Sequence, residues 1–158
     1  MGGSRMRFPL ASNVIRGNSV SNTFGMVRHY PDGTPKAHQG HDYAASPGTP
    51  IFAIADGTIA DVRDHGDYGV QLLLDIGGGR WAFYAHLTTV SVSVGQAVAE
   101  GEALGTTGKT GNAANLRASE DHLHFEARTT PHPGLGLAGR VSPADWFGSC
   151  PLHVAVVV

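Results

Sequence analysis

The chain has 158 residues, enough for one domain with a substantial core and cramped for two. A formal net charge of −2 lacks the basic footprint of a nucleic-acid binder, and no apolar run approaches the roughly 20 residues that cross a bilayer. The single cysteine, Cys150, excludes an internal disulfide, and with no basic neighbour in sequence it is not expected to be a catalytic thiol.

The 22 glycines and 9 prolines predict many tight turns, the habit of all-β folds. The opening Met1–Met6 lacks the apolar stretch of a signal peptide. Residues 1–18 read as irregular, broken by Pro9, Asn13 and Gly17. Ile51 to Ala55 reads as a buried strand, Asp56-Gly57 as a hairpin turn, and Thr58 to Asp64 as the returning strand. Val70 to Ile76 and Arg80 to His86, joined through Gly77-Gly78-Gly79, predict a second hairpin. Val90 to Val98 and Glu102 to Leu104 predict a third pair, with turns at Gly95 and Gly101. No helical stretch of convincing length is present. The expectation is one mainly β domain built on antiparallel sheet over residues 19–150, with 151–158 as a tail or last strand.

Near the C-terminal end, Asp121-His122-Leu123-His124-Phe125-Glu126 alternates with period two, as a short strand does. His122, His124 and Glu126 then share one face, while Leu123 and Phe125 anchor the other. Two imidazoles presented side by side make a natural half of a zinc site, although a bare His-x-His also occurs on solvated sheet faces. His38-x-Gly40-x-Asp42 offers a histidine and a carboxylate, with a glycine that would let the backbone pass close to an ion. His86 ends the strand Trp81 to Leu87. A catalytic zinc site takes three protein ligands and keeps one position for water. His38, Asp42 and His124 would supply the three, leaving His86 and His122 to accept or donate a proton. His41 is the decoy, expected to point away from His38. His29, His65, His132 and His153 have no motif context and read as surface residues.

His38-x-Gly40-x-Asp42, Tyr84-Ala85-His86-Leu87 and His122-Leu123-His124-Phe125-Glu126, in this order, closely resemble the lysostaphin-type (LytM-like) zinc endopeptidases, which cut peptidoglycan cross-bridges or stem peptides. The resemblance covers about residues 22 to 147. It includes Phe24-Gly25 with Arg28 and Pro31, Gly48-Thr49-Pro50-Ile51, Ala55-Asp56-Gly57, Val94-Gly95-Gln96 with Gly101-Glu102, and Val141-x-Pro143. It implies one zinc per chain on His38, Asp42 and His124, with His86 and His122 as catalytic histidines. It also implies an antiparallel sheet with a substrate groove flanked by loops, of the duplicated hybrid motif type. Tyr68 and Asn112 are the candidates to line that groove. The chain departs from the family between Gly111 and His122, where Asn112 to Asp121 contains no glycine or proline. That loop would border the groove and bear on specificity.

The competing readings are a D-Ala-D-Ala-type zinc carboxypeptidase, whose first His and Asp are normally spaced further apart, and an inactive LytM-like binding or regulatory module. A phosphate loop at Ala103-x-x-x-x-Gly108-Lys109-Thr110 lacks the leading glycine and a following helix. Action on peptidoglycan implies the periplasm or the extracellular wall as the place of work.

Overall fold

The computed structural model describes residues 6–158; residues 1–5, the start of the segment expected to be irregular, lie outside the described residues. In chain order the strands are β1 (Ser12–Asn13), β2 (Gly25–His29), β3 (Pro35–His38), β4 (His41–Ala44), β5 (Pro50–Phe52), β6 (Gly57–His65) and β7 (Gly69–Gly77). They continue as β8 (Arg80–Val90), β9 (Ala97–Val98), β10 (Ala103–Thr107), β11 (His122–Arg128), β12 (Arg140–Val141) and β13 (Val156–Val157). The only α-helix among the described residues is the short α1 (Pro143–Phe147). Ser142 caps it by accepting from the Ala144 amide, and Pro143 occupies its first turn, where no amide hydrogen is required.

The main sheet runs β12-β11-β8-β7-β6-β9, with β4 on β11 and with β10 bridging β5 and β8. All its pairings are antiparallel, as expected for a mainly β chain. Beneath β11 and β8, Leu123, Phe125, Tyr84, Tyr43 and Leu72 form a core with no solvent exposure. Phe125 meets Tyr84 edge-on at 5.3 Å, and Phe147 of α1 stacks on Phe8 at 4.6 Å. Each such ring contributes about 2–3 kcal/mol through burial. The opposite face of the sheet carries a smaller cluster, Leu73, Phe83 and Ala85 with Tyr68 and Trp81 against it. Period-two alternation therefore delivers one face of β11 to the core and the other to the site.

The hairpin of β7 and β8 forms as the sequence predicts. The other two expected pairs do not. Strand β5 pairs with β10, and β6 pairs with β7 and β9. Asp56 does not close a two-residue hairpin; its carboxylate accepts from the Glu100 amide, while Ala53 exchanges backbone bonds with Gly101 and Glu102. Likewise Ala97–Val98 and Ala103–Thr107 pair with different strands rather than with each other. The residues before position 19 include β1, which pairs with β13, and they place Phe8, Leu10 and Ile15 in the core.

Gly40 serves a different purpose from the one its motif suggests. It lies against β11, where an added Cβ would come 2.1 Å from the Phe125 carbonyl oxygen. The close approach is to this strand's backbone, and it sets the spacing between β4 and β11. Gly40→Ala should therefore cost about 3 kcal/mol of unfolding free energy by overpacking a rigid backbone, measured by denaturant melts. A midpoint unchanged from wild type would contradict that reading.

Candidate functional site

Strand β11 sets His124 between two cross-strand neighbours, Asp42 on β4 and Ala85 on β8. The small Ala85 side chain leaves room above the sheet for the imidazole. His124 Nδ1 lies 2.9 Å from Asp42 Oδ1, and His38 Nε2 lies 3.2 Å from the same oxygen. His38, Asp42 and His124 each present one donor atom within 4.8 Å of the others, and all three are buried. His41, the decoy, is not part of this triangle. Its ring rests edge-on against Tyr43 at 5.8 Å, and burial pulls its pKa down to about 4.

Each of the four site histidines has at least one ring nitrogen engaged by the protein, and His124 has both. His38 Nδ1–H donates to the Thr23 carbonyl at 2.8 Å, leaving Nε2 toward Asp42. His86 Nδ1–H donates to the Thr110 carbonyl at 2.9 Å, and His122 Nδ1–H to the Glu120 carbonyl at 2.9 Å. His122 Nε2 then faces Asp42 Oδ1 at 3.7 Å. His124 is held from the other side, with Nε2–H donating to Glu126 Oε2 at 2.8 Å. The Nδ1 bonds select the tautomers of His38, His86 and His122 and leave their Nε2 atoms free of those carbonyls.

His86 reaches the site through a bend in β8. Trp81 to Ala85 pair with β11, whereas Leu87 to Val90 pair with β10, so the strand changes partner at His86. The register with β7 also slips between Leu87 and Tyr84. His86 takes a left-handed backbone conformation there, φ 60°. A bulge with one residue at positive φ re-aims its side chain, and strain of this kind concentrates at functional sites. The ring thus meets His122 edge-on at 5.1 Å.

Glu126, noted in the sequence only for its face, proves to be central. Its Oε1 accepts from Arg128 Nε at 2.9 Å and from Arg140 Nε at 2.7 Å. Its Oε2 accepts from His124 and, at 2.6 Å, from the Tyr68 hydroxyl. Burial alone would raise this carboxyl, but the His124 bond and the two guanidinium groups hold it well below the usual range. Tyr68 also stacks on His124 at 5.4 Å, and its hydroxyl accepts from Gln39 Nε2. Tyr68 lines the cleft through its ring, since its hydroxyl is already occupied.

The cleft itself has a volume of about 380 Å³ and is lined by His38, Asp42, His86, His122 and His124, with Tyr68 and Asn112 among its walls. The loop from Asn112 to Asp121 borders it through Asn112 and Leu116. Gly111 crosses beneath, at φ 69°, where an added Cβ would come 2.1 Å from the Asp67 carbonyl oxygen. Lys109 pins the loop by donating to the Leu116 carbonyl at 2.6 Å and pairing with Asp121 at 3.1 Å. That leaves the Lys109 ammonium engaged within the loop. The loop then supplies Leu116 to the cleft and the Glu120 carbonyl to His122.

Two arginines complete the surroundings. Arg28 Nη2 lies 3.2 Å from Asp42 Oδ2, and Arg16 Nη2 lies 3.7 Å from it. Arg16 comes from the segment before residue 19, and no pattern in the sequence marked it. His29, His65, His132 and His153 are exposed.

A buried histidine–carboxylate–histidine triangle with two further imidazoles, set on an antiparallel sheet, has the composition of a mononuclear metal centre. Residues 36–134 match Peptidase family M23, and the chain belongs to that family. This bears out the lysostaphin-type resemblance. Among its relatives, the DD-carboxypeptidase/endopeptidase Mpg of Neisseria meningitidis is 39% identical over 114 residues, 72% of this chain and 25% of that protein. The peptidoglycan DD-endopeptidase ShyA of Vibrio cholerae is 32% identical over 108 residues, 68% of this chain and 24% of that protein. A zinc-containing peptidase of V. cholerae has a similar fold, with a TM-score of 0.67 and 28% identity over 85% of this chain and 41% of that one. The chain spans about a quarter of the length of the curated relatives it matches.

Proposed function

We propose that this chain is a zinc-dependent endopeptidase that hydrolyses a peptide bond of bacterial peptidoglycan, acting in the periplasm or the cell wall. The convergence of His38, Asp42 and His124 donor atoms on one buried volume, beside two more imidazoles, carries the reading. It is supported by the peptidoglycan DD-endopeptidase named among the relatives and the zinc-containing peptidase among similar structures. No helix among the described residues is long and apolar enough to cross a membrane.

One zinc per chain would be held by His38 Nε2, an Asp42 oxygen and His124 Nδ1. The donor set fits this ion, because two neutral imidazoles and a carboxylate are ordinary zinc ligands and each histidine's other nitrogen is already bonded. Bound there, zinc supplies a lowered pKa for the attacking water and polarisation of the scissile carbonyl. Burial holds His86 down at about 4 and lowers His122 as well, so both rings stay neutral near pH 7. With Nδ1–H engaged by a carbonyl, each ring presents Nε2 as a proton acceptor, suited to take the water proton and pass it to the leaving amine.

The test is zinc content per chain together with digestion of purified sacculi, read by mass spectrometry of the released muropeptides. One zinc and new peptide ends support the reading; intact sacculi with zinc bound overturn the substrate assignment.

Two expectations concern the metal directly. In the metal-free protein, burial disfavours charge on His124, but the bonds to Asp42 and Glu126 outweigh it and hold the pKa up at about 9. Below about pH 9 the ring therefore carries a proton on Nδ1 that zinc must displace. Apparent zinc affinity should weaken about tenfold for each unit of falling pH in that range, as one proton is released per ion. Calorimetric titration in buffers of different ionisation enthalpy measures that proton, and a release of zero would contradict the account. Glu126→Gln should lower zinc affinity roughly 10- to 100-fold, since an amide cannot balance the two arginines or orient His124 as firmly. Competition with a chelating dye reads this, and unchanged affinity would remove Glu126 from the role.

A further inference from the structure

The cleft has a cationic side that the peptidase chemistry does not use. Arg16, Arg28 and Lys36 line both the cleft and an adjoining hollow that includes Ser19 and Ser21. The two guanidinium groups are fixed in place. Asn22 Oδ1, on a buried side chain, accepts from Arg16 Nη2 at 2.8 Å and from Arg28 Nη2 at 3.0 Å. Arg28 Nε donates to the Ser21 carbonyl at 2.7 Å. Arg28 Nη1 has no hydrogen-bond partner among the described residues, and Lys36 has no ion pair among them. The Lys36 ammonium instead lies 5.3 Å from the centre of the Tyr30 ring.

Of the carboxylates nearby, only Asp42 forms an ion pair with these cations. Asp42 is shared by both arginines and three histidines. Glu120 uses Oε1 to accept from the Arg117 amide at 3.2 Å. Asp67 lines the cleft but not the adjoining hollow. Preorganised donors with one open guanidinium edge are the usual receptor for a carboxylate.

We propose that Arg28 and Lys36, backed by Arg16, form a subsite for a carboxylate borne by the carbon attached to the scissile nitrogen. This rests on the peptidase reading above and narrows its substrate. Arg28 Nη2 touches Asp42, whose other oxygen meets both proposed ligand histidines, so a group held by Arg28 sits beside the scissile bond. A D-Ala acyl group has no carboxyl other than the scissile carbonyl itself, so with that donor a free carboxylate this close belongs to the leaving amine. Two bonds of peptidoglycan with a D-Ala acyl group have that chemistry: the cross-link from D-Ala to the D-centre of a diamino acid, and the terminal D-Ala-D-Ala of an uncross-linked stem. The interior of a glycyl bridge has no such carboxylate.

The test compares kcat/KM of the zinc-loaded full chain on four peptides: the D-Ala–diamino acid cross-link, the same cross-link with that carboxylate as a carboxamide, a stem ending in D-Ala-D-Ala, and pentaglycine capped as its C-terminal amide. The free carboxylate should be preferred over the carboxamide by about 10- to 100-fold, the range of a hydrogen bond to a charged group. That ratio should fall toward one in Arg28→Gln and Lys36→Met, through a rise in KM. Lys36→Met should keep one zinc per chain, because Lys36 touches no proposed ligand. Faster turnover of the cross-link names the diamino acid as the source of the carboxylate, and faster turnover of the stem names the terminal D-Ala. Equal rates on carboxylate and carboxamide, or pentaglycine cut as fast as the cross-link, would overturn the subsite while leaving the peptidase reading intact. Full discrimination retained in both variants would overturn the residue assignment. Cleavage of none of the four would overturn the peptidase reading, and the subsite with it.

Discussion

Asp42→Ala should yield a protein without stoichiometric zinc, and cleavage of sacculi should fall by roughly 10³-fold or more, since a metal contributes several kcal/mol to the barrier and each 1.4 kcal/mol is about tenfold. Asp42 is the hub of the site. One oxygen meets His38 at 3.2 Å and His124 at 2.9 Å, while the other meets Arg28 at 3.2 Å. Its removal takes away a proposed ligand and leaves two guanidinium groups without their shared carboxylate. The second effect alone should destabilise the fold, because breaking a buried charge pair costs about 3–5 kcal/mol. Asp42→Asn separates the two losses. It keeps the shape and one acceptor oxygen but carries no charge, so it should fold better than Asp42→Ala and still bind zinc poorly. Elemental analysis with thermal melting on both variants decides this. Full zinc occupancy in Asp42→Ala would show that the ion is held elsewhere.

The sequence reveals most of this site for a local reason. Period-two alternation within β11 places His122, His124 and Glu126 on one face without knowledge of any other strand. The β7–β8 hairpin is legible for the same reason, since its turn glycines lie between its own strands. Pairings that depend on distant segments are not. The Asp56-Gly57 dipeptide has the residues of a hairpin turn, yet the backbone groups of Ala53 are taken by Gly101 and Glu102. Arg16 donates to the Glu120 carbonyl, the acceptor of His122, at 3.4 Å from 104 residues away, so no local motif could announce it. Glu126 was visible as a face but not as a role. Its function comes from Tyr68, 58 residues distant, and from Arg140 on the edge strand. The left-handed turn at His86 was equally hidden, because it results from β8 exchanging β11 for β10 at that residue.

His86→Ala and His122→Ala should each retain one zinc per chain and lose about 10²- to 10⁴-fold in kcat, the range for removing a positioned proton-transfer group. Neither ring belongs to the ligand triangle, so metal content should be indifferent to both changes. The two variants should differ in stability. His86 sits at φ 60°, a conformation costing an L-residue roughly 1–2 kcal/mol that glycine does not pay. His86→Gly should consequently melt higher than His86→Ala while being just as inactive. That combination would show strain maintained for placement of the ring rather than for the fold. His122 lies in regular strand geometry and offers no such relief, but its Nδ1 is tied to the Glu120 carbonyl at 2.9 Å. Losing its ring should loosen the loop from Asn112 to Asp121, detectable as faster amide exchange there. Loss of zinc in His122→Ala would make it a ligand, and wild-type kcat in either variant would remove that histidine from proton transfer. Retained zinc with kcat reduced in both would leave the two imidazoles acting together in proton transfer.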